Sequence, residues 1–127
     1  MKYLLDTCAL LWLAEGNTKL SANAFTIVSD PDNVCYVSAL SFWELSMKAV
    51  AGKLAFVTTP SDLERMAVQE GLTILPLTVS HTDKFHILST VHRDPFDRLI
   101  AAVALSVNCT VLSPDPAFDV LGARRTW

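Results

Sequence analysis

The sequence predicts an α/β domain built on a mostly parallel sheet, and three observations lead there. Short apolar strands alternate with helical segments along all 127 residues, the order that gives parallel sheets covered by helices. Val34 to Val37 is a near-continuous apolar run, as in strands buried on both faces. Acidic residues follow the carboxyl ends of strands, where open α/β sheets carry their chemistry. A chain of this length makes one domain, residues 1–127, with a single sizeable core.

Composition narrows the class. With 51% hydrophobic and 18% charged residues, disorder is excluded. The longest stretch free of charge, Leu99 to Pro114, holds two Ser, an Asn and a Thr and is too short for a membrane span. The start, Met-Lys-Tyr-Leu-Leu-Asp, is too short and too soon acidic for a signal peptide. Cys8, Cys35 and Cys109 form no CxxC pair and read as reduced, buried, small apolar residues of a cytoplasmic protein. The formal charge of −3 argues weakly against binding a phosphate backbone, but removing four acids committed to a metal leaves +1.

Taken in order, Lys2 to Leu5 is the first strand, ended by Asp6-Thr7. Cys8 to Ala14 follows as a helix closed by Gly16-Asn17. Taken alone, Asp6 reads first as the cap of that helix. Ser21 to Asp30 is a second helix and Pro31-Asp32-Asn33 a turn. After the strand at Val34–Val37, Ser38 or Ser41 caps a helix that carries Phe42 to Lys48 and stops at Gly52. Glu44 and Lys48 are spaced for an i, i+4 ion pair. Yet Glu44 stands among Leu40, Phe42, Trp43 and Leu45, where an acid is more often partnered or functional than idle.

Lys53 to Thr59 is extended. Ser61 opens a capping box with Glu64, for a helix through Glu70 ended by Gly71. Leu72 to Leu77 is a strand interrupted by Pro76. Ser80 to Leu88 is a helix with His81 and His86 on a solvated or half-buried face, and no His or Cys spacing suits zinc. Asp94 precedes Pro95, so it favours extended dihedrals and caps a helix that starts at Pro95. Asp97 falls in the first turn, where free N–H groups favour an anion. Behind it Leu99 to Ala104 is apolar almost all round, as in a buried helix. Cys109 to Leu112 is a strand that delivers the turn Ser113-Pro114-Asp115-Pro116, with a helical piece around Ala117-Phe118. Arg124 to Trp127 adds an edge strand.

Four acids share one logic. Asp6 and Asp115 follow strands, Asp97 opens the helix that leads into the last of these, and Glu44 follows a strand by less than two helical turns. Carboxyl ends of parallel strands lie along one edge, so all four can converge there. Four carboxylates without a cation repel, and a hard divalent ion, Mg²⁺ or Mn²⁺, resolves the conflict and suits phosphate chemistry.

These residues resemble a family. Leu4-Leu5-Asp6-Thr7, Ser38-x-x-Ser41-x-Trp43-Glu44 with Lys48 and Gly52-Lys53-Leu54, His92-x-Asp94-Pro95-Phe96-Asp97-Arg98-Leu99-Ile100-Ala101, and Leu112-Ser113-x-Asp115 are similar to the PIN-domain ribonucleases. The toxin (VapC-type) members of toxin–antitoxin pairs resemble the chain most. The resemblance spans essentially the whole chain. It implies a three-layer α/β/α fold with four to five short strands and an endoribonuclease dependent on Mg²⁺ or Mn²⁺. It also implies a homodimer and a cognate antitoxin that blocks the site. By position Asp6, Glu44 and Asp97 match the family's three most regular acids and Asp115 the fourth. Cys8 stands where relatives are often polar, and Ser113 where Thr is common.

On this reading Asp6, Asp97 and Asp115 hold one or two metal ions, and Glu44 ligates a metal or orients the attacking water. Cleavage leaves a 5′-phosphate and a 3′-hydroxyl. Thr7 or Ser113 hydrogen-bonds a ligand carboxylate, Asp94 caps the helix and supports the site, and Arg98 and Lys48 are candidates for phosphate contact. Trp12, Phe42 and Trp43 supply core packing or partner surface. Three rivals stand: a housekeeping RNA-processing nuclease, a binding module without catalysis, and a receiver domain. The last wants paired acids after the first strand and a Lys after the last, and finds neither.

Overall fold

The first strand shows how the layers form. Tyr3 and Leu5 point to one face of the sheet and Leu4 to the other, as the two-residue period of a strand requires. All three are buried, so helices must cover both faces. The computed structural model describes residues 1–54, 58–88, 90 and 92–127. Among them β1 (Lys2–Leu5), β2 (Val34–Ser38), β3 (Thr73–Leu75), β4 (Thr110–Leu112) and β5 (Arg125–Thr126) form one sheet ordered β3-β2-β1-β4-β5. Every pairing is parallel, with Leu5 opposite Val37 on one side and Leu112 on the other.

The covering helices are α1 (Thr7–Glu15), α2 (Ala22–Ser29), α3 (Ala39–Val50), α4 (Pro60–Gln69), α5 (Val79–His86), α6 (Pro95–Ser106) and α7 (Ala117–Val120). Leu10, Ala24, Leu45 and Leu63 of α1 to α4 pack with Tyr3, Leu5, Val37 and Leu112 on one face. Ile100, Val103 and Ala104 of α6 and Phe118 of α7 pack with Leu4 and Val111 on the other. Helix α5 lies against α6. Burial of each such aliphatic side chain is worth about 1.5–3 kcal/mol. No helix among the described residues is long and apolar enough to cross a membrane.

Most expected elements stand within two residues of their places, including the edge strand β5 and the start of α6 at Pro95. Asp94 caps α6, its Oδ1 accepting from the Phe96 N–H at 2.9 Å. Between the two candidate caps of α3, Ser38 is the one used, accepting from the Leu40 N–H.

Three expectations are corrected. Helix α4 is capped by Thr59, whose Oγ1 accepts from the Asp62 N–H at 3.1 Å, and not by Ser61. Pro60 takes the first helical position and forces the residue before it into extended dihedrals, so the helix begins two residues early. His81 is buried, not solvated, because its Nδ1 accepts from the Thr78 N–H and closes the start of α5; His86 is exposed as expected. Cys8 is exposed, on the side of α1 away from Ala9 and Leu10, while Cys35 and Cys109 are buried and all three thiols are free. The expected extended segment Lys53 to Thr59 lies partly outside the described residues.

The position of the cap is testable by denaturant unfolding. Thr59→Ala removes the oxygen that accepts from α4 and should cost about 1 kcal/mol. Ser61→Ala should stay within about 0.5 kcal/mol of the parent.

Candidate active site at the carboxyl edge of the sheet

Chain order runs outward from β1 through β2 to β3, then returns to the far side of β1 to place β4. The direction of winding therefore reverses between β1 and β4, and the crevice at their carboxyl ends is where such sheets hold ligands. Asp6 and Ser113 stand there, each directly after its strand. The Asp6 N–H donates to the Leu112 carbonyl at 3.3 Å, fastening the two strand ends together. Asp6 Oδ1 accepts from the Ala9 N–H at 2.7 Å, and Ser113 Oγ donates to Oδ2 at 2.5 Å. Cap and site residue are thus the same carboxylate.

Asp115 enters through the turn after β4. Its N–H donates to Ser113 Oγ, and its Oδ1 accepts from the Ala117 N–H at 2.9 Å. Asp97 enters from the first turn of α6, where its Oδ2 lies 3.1 Å from His92 Nε2. Glu44, buried on α3, accepts from Thr7 Oγ1 at 2.6 Å and pairs with Lys48 Nζ at 3.0 Å. Ser41 Oγ, also buried, lies 3.0 Å from the same Thr7 oxygen. Asp94 is exposed at its cap position. The Arg98 guanidinium lies over the Phe85 ring, 4.4 Å from its centre, and its buried Nε has no partner among the described residues. Arg98 thereby ties α6 to α5. Two contacts were not legible in the sequence: Ser41 as a partner of Thr7, and His92 as a partner of Asp97.

The acids feel one another. Burial pushes the Asp6 carboxyl up to about 6. Ser113 and the Ala9 N–H pull it down, while the charges of Asp97 and Asp115 push it further up. Asp97 is also raised, by burial first, against the His92 hydrogen bond and with Asp94 and Asp115 adding to the rise. Loss of solvent around its sulfur, then the Asp6 charge, push the Cys8 thiol up to about 11, which keeps it a neutral thiol. Burial would lower Lys48, but its hydrogen bond and charge contact with Glu44 leave it above its ordinary value.

The site therefore falls into two parts. Asp6, Asp97 and Asp115 form a region of shared negative charge, and neither Asp6 nor Asp115 makes an ion pair with a described cation. Glu44 has its own cation in Lys48. Among the described residues no three acids, imidazoles or thiols stand close enough to form a ready-made metal cage. The chemistry of the donor set fits a hard ion all the same. The three carboxylates offer only oxygen, Asp6 and Asp115 have no ion-pair partner among the described residues, and Mg²⁺ or Mn²⁺ keeps several waters that can span the gaps.

Asp6 titrates near 3.8 in an ordinary setting and near 6 in the fold. Between those values the folded state binds more protons than the unfolded chain. The Asp6 contribution to stability is therefore fully present below pH 3.8 and is lost as pH rises through 6, roughly 3 kcal/mol in all. Asp6→Asn keeps the shape and removes the titration. Its melting temperature should fall less than the parent's between pH 4.5 and 7.5; equal slopes in the two proteins would rule Asp6 out as the source.

The comparisons with known proteins agree with this architecture. No curated protein sequence matches the chain. The fold is similar to a chain of VapBC2 from Rickettsia felis, solved bound to a DNA fragment from their promoter, with TM-score 0.72 and 16% identity over 99% of this chain and 98% of that one. It is similar to a chain of VapBC-1 from nontypeable Haemophilus influenzae, with TM-score 0.65 and 16% identity over 99% and 97%. It is also similar to a chain of FitAcB from Neisseria gonorrhoeae, with TM-score 0.64 and 19% identity over 98% and 96%. The family model that matches, over residues 3–123, is the PIN domain, and the chain belongs to that family.

Proposed function

We propose that this PIN domain is an endoribonuclease dependent on Mg²⁺ or Mn²⁺, and the toxin of a toxin–antitoxin pair. The observation that carries the reading is the shared negative charge of Asp6, Asp97 and Asp115 at the point where the sheet reverses. Asp6, Asp97 and Asp115 would hold the ion. A divalent ion so held lowers the pKa of water and stabilises the charge that develops on a phosphodiester under attack. Ser113 and the Ala9 N–H keep Asp6 in one orientation for that task.

Glu44 has both oxygens engaged, one by Thr7 and one by Lys48. It serves the site by fixing the Lys48 ammonium at the rim, where the cation meets the phosphate backbone of RNA. Loss of Glu44 should therefore be partial, whereas loss of Asp6 or Asp97 should be complete.

The solved complexes similar to this chain support an antitoxin as partner. An apolar cleft of about 230 Å³ between α1, α3 and α4, lined by Leu11, Phe42, Leu45, Ala49 and Leu63, suits the nonpolar side of an antitoxin segment. Trp43, 61% exposed, and Met47 and Val50 form an apolar row on the outside of α3 that offers surface to a second copy in a homodimer. The reading places the protein in the cytoplasm.

The test is cleavage of a panel of structured RNAs, transfer RNA included, in Mn²⁺, Mg²⁺ or EDTA. The parent should cleave only with metal, Asp6→Asn and Asp97→Asn should not cleave, and Glu44→Gln should retain a reduced rate. Millimolar Mg²⁺ should raise the melting temperature of the parent more at pH 7.5 than at pH 5, where Asp6 is largely neutral. A well-folded parent that cleaves no RNA, or an Asp6→Asn protein as active as the parent, would overturn the reading.

A further inference from the structure

Each acid at this edge is held by something. Asp6 is fixed through both oxygens by the Ala9 N–H and Ser113, Asp115 by the Ala117 N–H, and Glu44 by Thr7 and Lys48. Asp97 differs. Asp94 and Pro95 fix the backbone at the start of α6, but the Asp97 side chain keeps two free torsions. Among the described residues no backbone N–H reaches its carboxylate, and its one side-chain partner is His92, at 3.1 Å. His92 lies five residues before Asp97 and two before the helix cap, and both side chains are half-buried.

A carboxylate can only accept, so the contact needs a proton on His92 Nε2. The neutral ring protonated at Nε2 and the imidazolium both supply it, and the contact therefore does not depend on the charge of His92. It occupies Oδ2 and leaves Oδ1 free.

Resting on the nuclease reading above, we propose that His92 is a positioning residue: its Nε2–H holds Asp97 Oδ2 so that Oδ1 is presented for a divalent cation. The arrangement is the mirror of the usual outer-shell support, in which a carboxylate orients a ligating histidine. Here the imidazole orients the ligating carboxylate. It also explains why a polar ring stands beside the mouth of the buried helix when Asp94 alone satisfies the helix end.

The experiment is Mn²⁺ binding by titration calorimetry on parent, His92→Ala, His92→Gln and Asp97→Asn proteins without RNA, beside RNA cleavage as a function of Mn²⁺ concentration. His92→Ala should weaken Mn²⁺ binding about 10- to 100-fold and raise the Mn²⁺ needed for half-maximal cleavage by the same factor. Its rate at saturating Mn²⁺ should stay near the parent's. His92→Gln, whose amide nitrogen reaches about as far as Nε2, should recover most of the affinity. A folded His92→Ala protein that binds Mn²⁺ like the parent overturns the inference and leaves the nuclease reading standing. So does a His92→Gln protein no better than His92→Ala. A parent that neither binds Mn²⁺ nor cleaves RNA overturns the nuclease reading and the inference with it.

Discussion

A carboxylate with two hydrogen bonds already made is a poor place to find electrostatic tension, yet Asp6 is under it. The Ala9 N–H and Ser113 both favour the anion, but burial and the charges of Asp97 and Asp115 outweigh them. The position follows from topology. Asp6 has to follow β1 to cap α1, and β1 has to border β4 because the sheet reverses there. Once Asp6 is buried at that junction, any acid on β4's turn or at the mouth of α6 adds to its load. Two such acids are present. A fold selected for stability alone would not crowd three carboxylates on one edge, where the charges of two of them push up the third. On the proposed reading, a bound cation would recover the stability given up.

Much of the architecture was legible because strong local rules point the same way as the tertiary fold. Asp94-Pro95 starts a helix by dihedral preference and capping together, and the structure starts α6 there. Where two local rules disagreed, the stiffer one won. Thr59-Pro60 and Ser61 with Glu64 both offer a helix start, and the fixed ring of Pro60 decides it. A rigid covalent constraint prevails over a pair of side-chain hydrogen bonds that water can replace.

The gathering of Asp6, Asp97 and Asp115 at one edge was legible for the same reason: strand ends are visible as local patterns, and parallel strands bring their ends together. Of their partners, Thr7 and Ser113 were legible as candidates for holding a carboxylate, but which acid each one reaches was not. Thr7 reaches Glu44 across 37 residues and Ser113 reaches Asp6 across 107, both through strand pairing. His81 and His92 look alike in the sequence, each a polar ring near a helix start. One folds back to its own helix cap and the other reaches the first-turn acid of α6. The difference lies in which atom lies within 3.2 Å, and no spacing rule encodes it.

The pairing of Glu44 with Lys48 changes the charge argument. Composition suggests four acids in need of a metal, but Lys48 already neutralises one of them from within α3. One divalent ion takes the formal charge from −3 to −1 (−3 + 2), so on the proposed reading the domain with one ion bound would carry no general attraction for RNA. Attraction must then be local. An anionic phosphate backbone can approach a cluster of carboxylates only where cations face it, and the proposed reading supplies two kinds: an ion that Asp6, Asp97 and Asp115 would share and the Lys48 ammonium that pairs with Glu44. Neither is sufficient alone, since Lys48 spends part of its charge on Glu44 and an ion alone marks one point on a long polyanion. On the proposed reading, metal binding and RNA binding would be coupled at this edge, each lowering the repulsion that the other meets.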